Sequence, residues 1–129
     1  MTTQTGPDLT DRITELAIKN PRYPREAYLF VFNCIYWARQ HLERPRHLTG
    51  QEFTHYLVAF AREKFGELAY QVFTEWGIFD TRDFGEIVYM LIEAGLMNKT
   101  REDSIEDFND VIDLETALND PEFEPYLPR

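Results

Sequence analysis

Apolar residues recur at helical spacing along most of the chain, separated by short polar or proline-bearing links. Leu9, Ile13, Leu16 and Ala17 form the inner stripe of a first helix, which Asp8 or Thr10 can cap and Asn20-Pro21 ends after Lys19. Pro21-Arg22-Tyr23-Pro24 is an extended link, and Pro24 suits the first turn of the next helix. That helix runs from Pro24 to about Leu42. Tyr28, Val31, Phe32 and Ile35 form one stripe, and Leu29, Phe30, Cys34, Trp37 and Ala38 fill most of the rest. A helix apolar nearly all round is packed on several sides, so Phe32, Ile35 and Trp37 are expected to be buried.

Thr49-Gly50-Gln51-Glu52 reads as a capping box, and Phe53, Tyr56, Leu57, Phe60 and Ala61 follow as the stripe of a third helix that Gly66 breaks. Leu68, Ala69, Val72, Phe73 and Trp76 mark a fourth, stopped at Gly77. Asp80 is an N-cap for a fifth, with Phe84, Ile87, Val88, Leu91 and Ile92 inside and Gly95 at its end. Beyond Gly95 the helical period is lost. Leu96 to Thr100 and Phe108 to Leu114 read as two short strands joined by the polar stretch Arg101 to Asp107, and a short last helix fits around Glu115 to Leu118. The segment from Asp120 to Arg129 holds three prolines in ten residues and cannot be helical throughout. The expectation is a mainly α (α+β) fold: a five-helix domain with a winged-helix-like C-terminal part, a helix-turn-helix plus a two-stranded hairpin. A single α-rich domain would span residues 8–118, with 1–7 and 120–129 as flexible tails.

Charge changes what such a shape could do. Through Trp76 nine bases and nine acids cancel; from Gly77 onward four bases face fourteen acids, which is the whole net charge of −10. In a DNA-binding winged helix, Thr81 to Ala94 would enter the major groove. Its outward positions hold Arg82 against Asp83, Glu86 and Glu93, and from Glu102 to Glu124 there are ten acids and no base. Each phosphate contact needs a Lys or Arg, so duplex DNA is disfavoured as a partner. The first half offers small basic clusters. Arg22 and Arg25 flank a helix N-terminus, where backbone amides favour an anion, and Arg44, Arg46 and His47 lie near its other end. Pairing of these bases with the protein's own acidic half is the plainer reading.

The sequence holds no catalytic signature. Cys34 is the only cysteine, which excludes an intrachain disulfide and a cysteine-based zinc site, and its apolar neighbours mark it as a small buried hydrophobe. His41, His47 and His55 show no metal-ligand spacing. Asp107-Phe108-Asn109-Asp110-Val111-Ile112 lacks the glycine of a calcium loop and puts Val and Ile in ligand slots. With no phosphate-cradling glycine loop or nucleophile elbow either, no cofactor, metal or catalytic residue is expected. No apolar run reaches the roughly 18 residues of a membrane span, and Met1 to Asp8 lacks a signal-peptide core. The expected location is cytoplasmic, away from membranes.

Several stretches carry a resemblance: residues 21–28 (Pro-Arg-Tyr-Pro-Arg-Glu-Ala-Tyr), 48–52 (Leu-Thr-Gly-Gln-Glu), 64–69 (Lys-Phe-Gly-Glu-Leu-Ala), 76–78 (Trp-Gly-Ile) and 83–88 (Asp-Phe-Gly-Glu-Ile-Val). Leu-Ile-Glu-Ala-Gly-Leu, Lys99-Thr100, Asp103-Ser104 and Asp107-Phe108 belong to the same set. Over about Arg12 to Leu118 the chain resembles an uncharacterised conserved hypothetical family named for its Planctomycetes and Verrucomicrobia members. The resemblance implies no activity and no ligand residues.

The functional expectation is a small protein-interaction or adaptor module. The acidic hairpin and tail would meet a basic protein partner through Glu102, Asp103, Glu106, Asp107 and Asp110, with Phe123 and Tyr126 as aromatic anchors. The alternative is a nucleic-acid-associated regulator that uses the basic first half, with Arg22 and Arg25 as an anion-binding pair. An enzyme of unnamed chemistry is the third reading.

Overall fold

In a computed structural model of the chain, which describes residues 7–129, the apolar stripes fold into six α-helices. They are α1 (Pro7–Lys19), α2 (Arg25–Arg39), α3 (Gly50–Phe65), α4 (Ala69–Glu75), α5 (Thr81–Glu93) and α6 (Leu114–Asn119). Short 3-10 turns at Gly66–Leu68 and Ile105–Phe108 complete the regular structure. The first six residues, part of the expected N-terminal tail, lie outside the described residues.

The caps of α3 and α5 fall where the sequence puts them, whereas α1 begins at Pro7 with Asp8 and Thr10 inside it, and Pro24 precedes α2 in extended backbone. Thr49 Oγ1 accepts the Glu52 amide at 3.1 Å, and the Glu52 carboxylate accepts the Thr49 amide at 3.0 Å. Asp80 and Asp83 make the same reciprocal pair at the start of α5. Gly77 and Gly95 follow the ends of α4 and α5 at φ of 81° and 78°, a left-handed backbone that a side chain would strain.

The central helix is α2, which packs against α1, α3 and α5. Its inner face is Ala27, Tyr28, Phe30, Val31, Phe32, Cys34 and Ala38. Ile35 and Trp37, expected to be buried, are only partly so. Trp37 lies at the margin, over Phe60 and His41, and its indole donates to Glu63 at 3.1 Å. The deep aromatic position is Phe30, whose ring meets Phe60, Phe65, Phe73 and Trp76. One continuous core of buried residues extends from Ile13 to Leu118.

The sheet is absent. Among the described residues there is no strand, so the two-stranded hairpin and the α+β, winged-helix-like reading are corrected to an all-helical fold. The reason is local. Leu96 and Met97 turn back and donate to the Leu91 carbonyl, sealing the end of α5. Ser104 and Asp107 form a capping box that winds Ile105–Phe108 into a 3-10 turn. Asp113 caps α6 through the Thr116 amide. Short polar side chains thus take up the backbone groups that a ladder would have needed.

Phe108 anchors this irregular segment. Its carbonyl accepts the Thr81 hydroxyl at 2.6 Å, and the same hydroxyl accepts the Val111 amide at 3.1 Å. Its side chain lies against Gly50 of α3 and Gly85 of α5. Residues 120–129, read from the sequence as a flexible tail, lie along α3. Arg62 donates to the carbonyls of Phe123 and Pro121, and the Tyr56 hydroxyl to the carbonyl of Pro128. Phe123 and Leu127 pack on the core.

In the first turn of α5 a buried carboxylate ties three parts of the chain together. Asp83, 7% exposed, accepts the Tyr23 hydroxyl at 2.5 Å and Arg22 Nη2 at 3.1 Å. It also accepts the amides of Phe79 and Asp80, at 2.8 and 3.3 Å. Burial and the neighbouring Asp83 charge drive the Tyr23 phenol far above its ordinary value, so it stays a donor. Asp83→Ala strands the Tyr23 hydroxyl and the Phe79 amide and removes a cap, and is expected to cost about 3 kcal/mol in urea unfolding. Tyr23→Phe, which leaves the carboxylate its other donors, should cost about 1 kcal/mol. An Asp83→Ala protein as stable as the parent would contradict this account.

Candidate functional site

Two features outside the core carry chemistry: a cavity at the junction of α2, α3 and α5, and the acidic C-terminal segment that partly encloses it.

The cavity has a volume of about 220 Å³. Ile35, Val88 and Ile92 from α2 and α5 give it an apolar floor, with Phe53 of α3 beside them. Leu96, Met97 and Phe108 add apolar surface from the irregular segment. The polar lining is mixed. Arg39 and Tyr36 come from the last turns of α2, Arg46 to Thr49 from the link into α3, and Lys99, Asp103, Ser104 and Asp107 from the segment beyond α5. Most of these groups are already engaged. Arg46 forms a two-pronged pair with Glu52 at 3.1 Å. These hydrogen bonds hold the Glu52 carboxyl below its ordinary range despite its partial burial, with help from the Thr49 amide. His47 Nε2 lies 2.6 Å from Asp103 Oδ2, which also accepts the Thr100 amide at 2.7 Å. Partial burial pushes the Asp103 carboxyl up, but the Thr100 amide and His47 outweigh it and the net direction is down. Two further clefts, between α1 and α5 and over Asp83, are more open and lined largely by charged side chains.

Tyr89 also lines the cavity at the junction of α2, α3 and α5, and its buried hydroxyl has no hydrogen-bond partner among the described residues. Burial raises its pKa, and the charges of Asp103, Asp107 and Glu106 push the same way. The hydroxyl is thus neutral and faces a negative field.

The acidic residues named from the sequence part company. Asp103 and Asp107 are partly buried, line the cavity and hold the fold: Asp103 caps a turn, and Asp107 Oδ2 accepts the Ser104 amide at 3.1 Å. Glu102, Glu106 and Asp110 are exposed. Glu106 lies 3.7 Å from Arg82, and Asp110 sits at φ 50° in the turn after Phe108. Phe123 packs on the core, whereas Tyr126 is 65% exposed near His55. No sequence signal brings His47 to Asp103 across 56 residues; only the folded chain shows that pair.

Arg22 and Arg25 do not converge on a common anion site. Arg22 pairs with Asp83, and Arg25 Nε donates to Thr14 Oγ1 at 2.7 Å. Arg82, the one base on the outward side of α5, is held by Glu86 at 3.0 Å and Asn109 at 3.2 Å. The Cys34 thiol is fully buried, and burial pushes its pKa up. Among the described residues no group of three His, Cys, Asp or Glu side chains could hold a metal ion, and no helix is long and apolar enough to cross a membrane.

Comparison with protein-family models, with curated proteins and with solved structures finds no match for this chain.

The tail's attachment to α3 has a pH dependence of definite sign. The Tyr126 amide donates to His55 Nδ1 at 2.9 Å, which requires that nitrogen to be unprotonated. Burial lowers the His55 pKa from its ordinary 6.5, so the folded state favours the neutral ring. The associated stability is full above the ordinary value and is lost as the pH falls through the lowered folded value. Backbone relaxation of residues 124–129 is expected to show growing motion between about pH 7.5 and pH 5. A tail that stays ordered while the His55 ring titrates would contradict the role given to this bond.

Proposed function

We propose that the protein is a small protein-interaction module whose acidic C-terminal segment meets a basic protein partner, working in the cytoplasm. The observation that carries this reading is the charge of residues 102–128: ten carboxylates without one Lys, Arg or His. Only Asp103 and Glu106 of the ten lie within 4 Å of a cationic or protonatable side chain among the described residues. Glu102, Asp110, Glu115, Glu122 and Glu124 are exposed. Carboxylates with no partner inside the chain act at a distance, speeding encounter with a positive surface and repelling polyanions. The former hairpin is no part of this reading. The surface is the strap of 3-10 turn, α6 and docked tail, with Tyr126 as its exposed ring.

The basic first half supports the nucleic-acid alternative poorly. Five of its seven arginines are engaged within the chain: Arg12 with the Ala94 carbonyl, Arg22 with Asp83, Arg25 with Thr14, Arg46 with Glu52, and Arg62 with the tail.

The test uses a variant with Glu102→Gln, Asp110→Asn, Glu115→Gln, Glu122→Gln and Glu124→Gln. None of the five is buried, and Asn tolerates the backbone of Asp110, so the melting temperature should shift by less than about 3 °C. In a tagged capture from the native cell after nuclease treatment, the parent should retain a basic protein whose binding falls steeply with salt, and the variant should lose it. Equal capture by parent and variant, or capture that disappears with nuclease, would refute the reading.

A further inference from the structure

The cavity at the junction of α2, α3 and α5 shares Asp103 and Asp107 with the acidic segment, yet its lining is richer in bases than the protein as a whole. The chain holds 23 acids and 13 bases. Yet the cavity is lined by Arg39, Arg46, His47 and Lys99 against Asp103 and Asp107. Arg46 is matched by Glu52, which is not in the lining, and His47 lies against Asp103. Arg39 and Lys99 form no ion pair among the described residues, while Asp103 and Asp107 accept the Thr100 and Ser104 amides. Lys99 donates only to the carbonyls of Thr100 and Asp103, and the Arg39 guanidinium rests over the Tyr36 ring. Thr49 and Gly50, at the positive end of the α3 dipole, belong to the same wall. The cavity thus offers two cations that no carboxylate engages among the described residues, beside an aliphatic floor.

We propose that this cavity binds a small amphipathic monocarboxylate, its apolar body on Ile35, Val88, Ile92 and Met97 and its carboxylate toward Arg39 and Lys99. The size follows from the volume. About 220 Å³ is below the roughly 300–1,000 Å³ of drug-sized sites, which leaves room for on the order of ten non-hydrogen atoms. A guanidinium suits a carboxylate because its fork of donors can hold both oxygens. The two aspartates tell against a cationic occupant less than their number suggests, since both accept backbone amides that fix the wall. They do exclude a dianion, which would meet Asp107 without a counter-charge to spare.

Methyl-labelled protein of the full chain supplies the test, titrated with phenylacetate and hexanoate as carboxylates. Phenylacetamide and phenethylamine serve as neutral and cationic versions of the aromatic body. At least one carboxylate should shift the Ile35, Val88, Ile92 and Met97 methyl signals saturably, with a Kd between about 10 µM and 1 mM as suits so few atoms. Phenylacetamide should bind at least about tenfold more weakly than phenylacetate, and phenethylamine more weakly still. Arg39→Gln, at an exposed position in the last turn of α2, should weaken the carboxylate about five- to tenfold and leave the amide unchanged. Its melting temperature checks that the cavity is intact. The proposal is overturned if neither carboxylate shifts these methyls saturably by about 10 mM. It is equally overturned if the amine or the amide matches the acid, or if Arg39→Gln binds the acid like the parent.

Discussion

The part of the chain beyond Gly95, which departs from helical periodicity, is held by one close approach. Phe108 is wedged between two helices at the only kind of position that admits it, a glycine on each side. A Cβ built on Gly50 would lie 2.9 Å from Asp107 Cβ and from Phe108 Cε2; one on Gly85 would lie 3.0 Å from Phe108 Cβ and Cδ2. Both distances are below ordinary carbon–carbon contact of about 3.5–4.0 Å. Because the ring is bounded by α3 on one side and α5 on the other, it cannot retreat from either. Its carbonyl is pinned as well, by the Thr81 hydroxyl. From this anchor the chain runs back to Asp103, which meets His47, and onward to α6, which packs on α3 and α4. The cavity wall and the acidic strap both hang from Phe108.

The charge asymmetry of the sequence takes on a physical meaning in this arrangement. The neutral first half spends its arginines on the second half and on itself: Arg22 on Asp83, Arg12 on the end of α5, Arg62 on the tail. What remains unmatched divides by place. Negative charge gathers on the exposed strap, and two cations without an ion pair among the described residues, Arg39 and Lys99, line the cavity. Residues 99–108 contribute to both, with Lys99, Asp103 and Asp107 in the cavity lining and Glu102 and Glu106 exposed.

Much of the helical framework was legible in the sequence because it is written in local terms. The Thr49–Glu52 box, the Asp80 cap and the stripe from Phe53 to Ala61 depend on residues a turn or two apart. The C-terminal third was not legible as read. Leu96-Met97 and Phe108 to Leu114 are apolar enough for strands, and the hairpin reading followed. The correcting signals were present, in Ser104 with Asp107 and Asp113 with Thr116, both of which start turns. The decisive contacts, though, join Thr81 to Phe108 and Gly50 to Asp107, and no spacing rule reaches that far. The site shows the same division. Asp103 and Asp107 were singled out for their charge, but their place in a cavity wall comes from tertiary structure. Arg22 was read as an anion binder, and the anion it holds is a carboxylate of its own chain.

Substitution of Gly85 by alanine tests the wedge most directly, because two physical effects predict opposite signs. Gly85 lies inside α5, where helix propensity alone would make alanine more stable by roughly 0.5–1 kcal/mol. The wedge predicts overpacking against a ring that cannot move, at a net cost of about 1–3 kcal/mol. Equilibrium urea unfolding of Gly85→Ala, with the 103–111 amide signals followed in parallel, reads out both. A loss of stability with those signals displaced is the expected result. A variant as stable as the parent or more so, with the segment undisturbed, would show that Phe108 is not the anchor on which the segment beyond Gly95 depends.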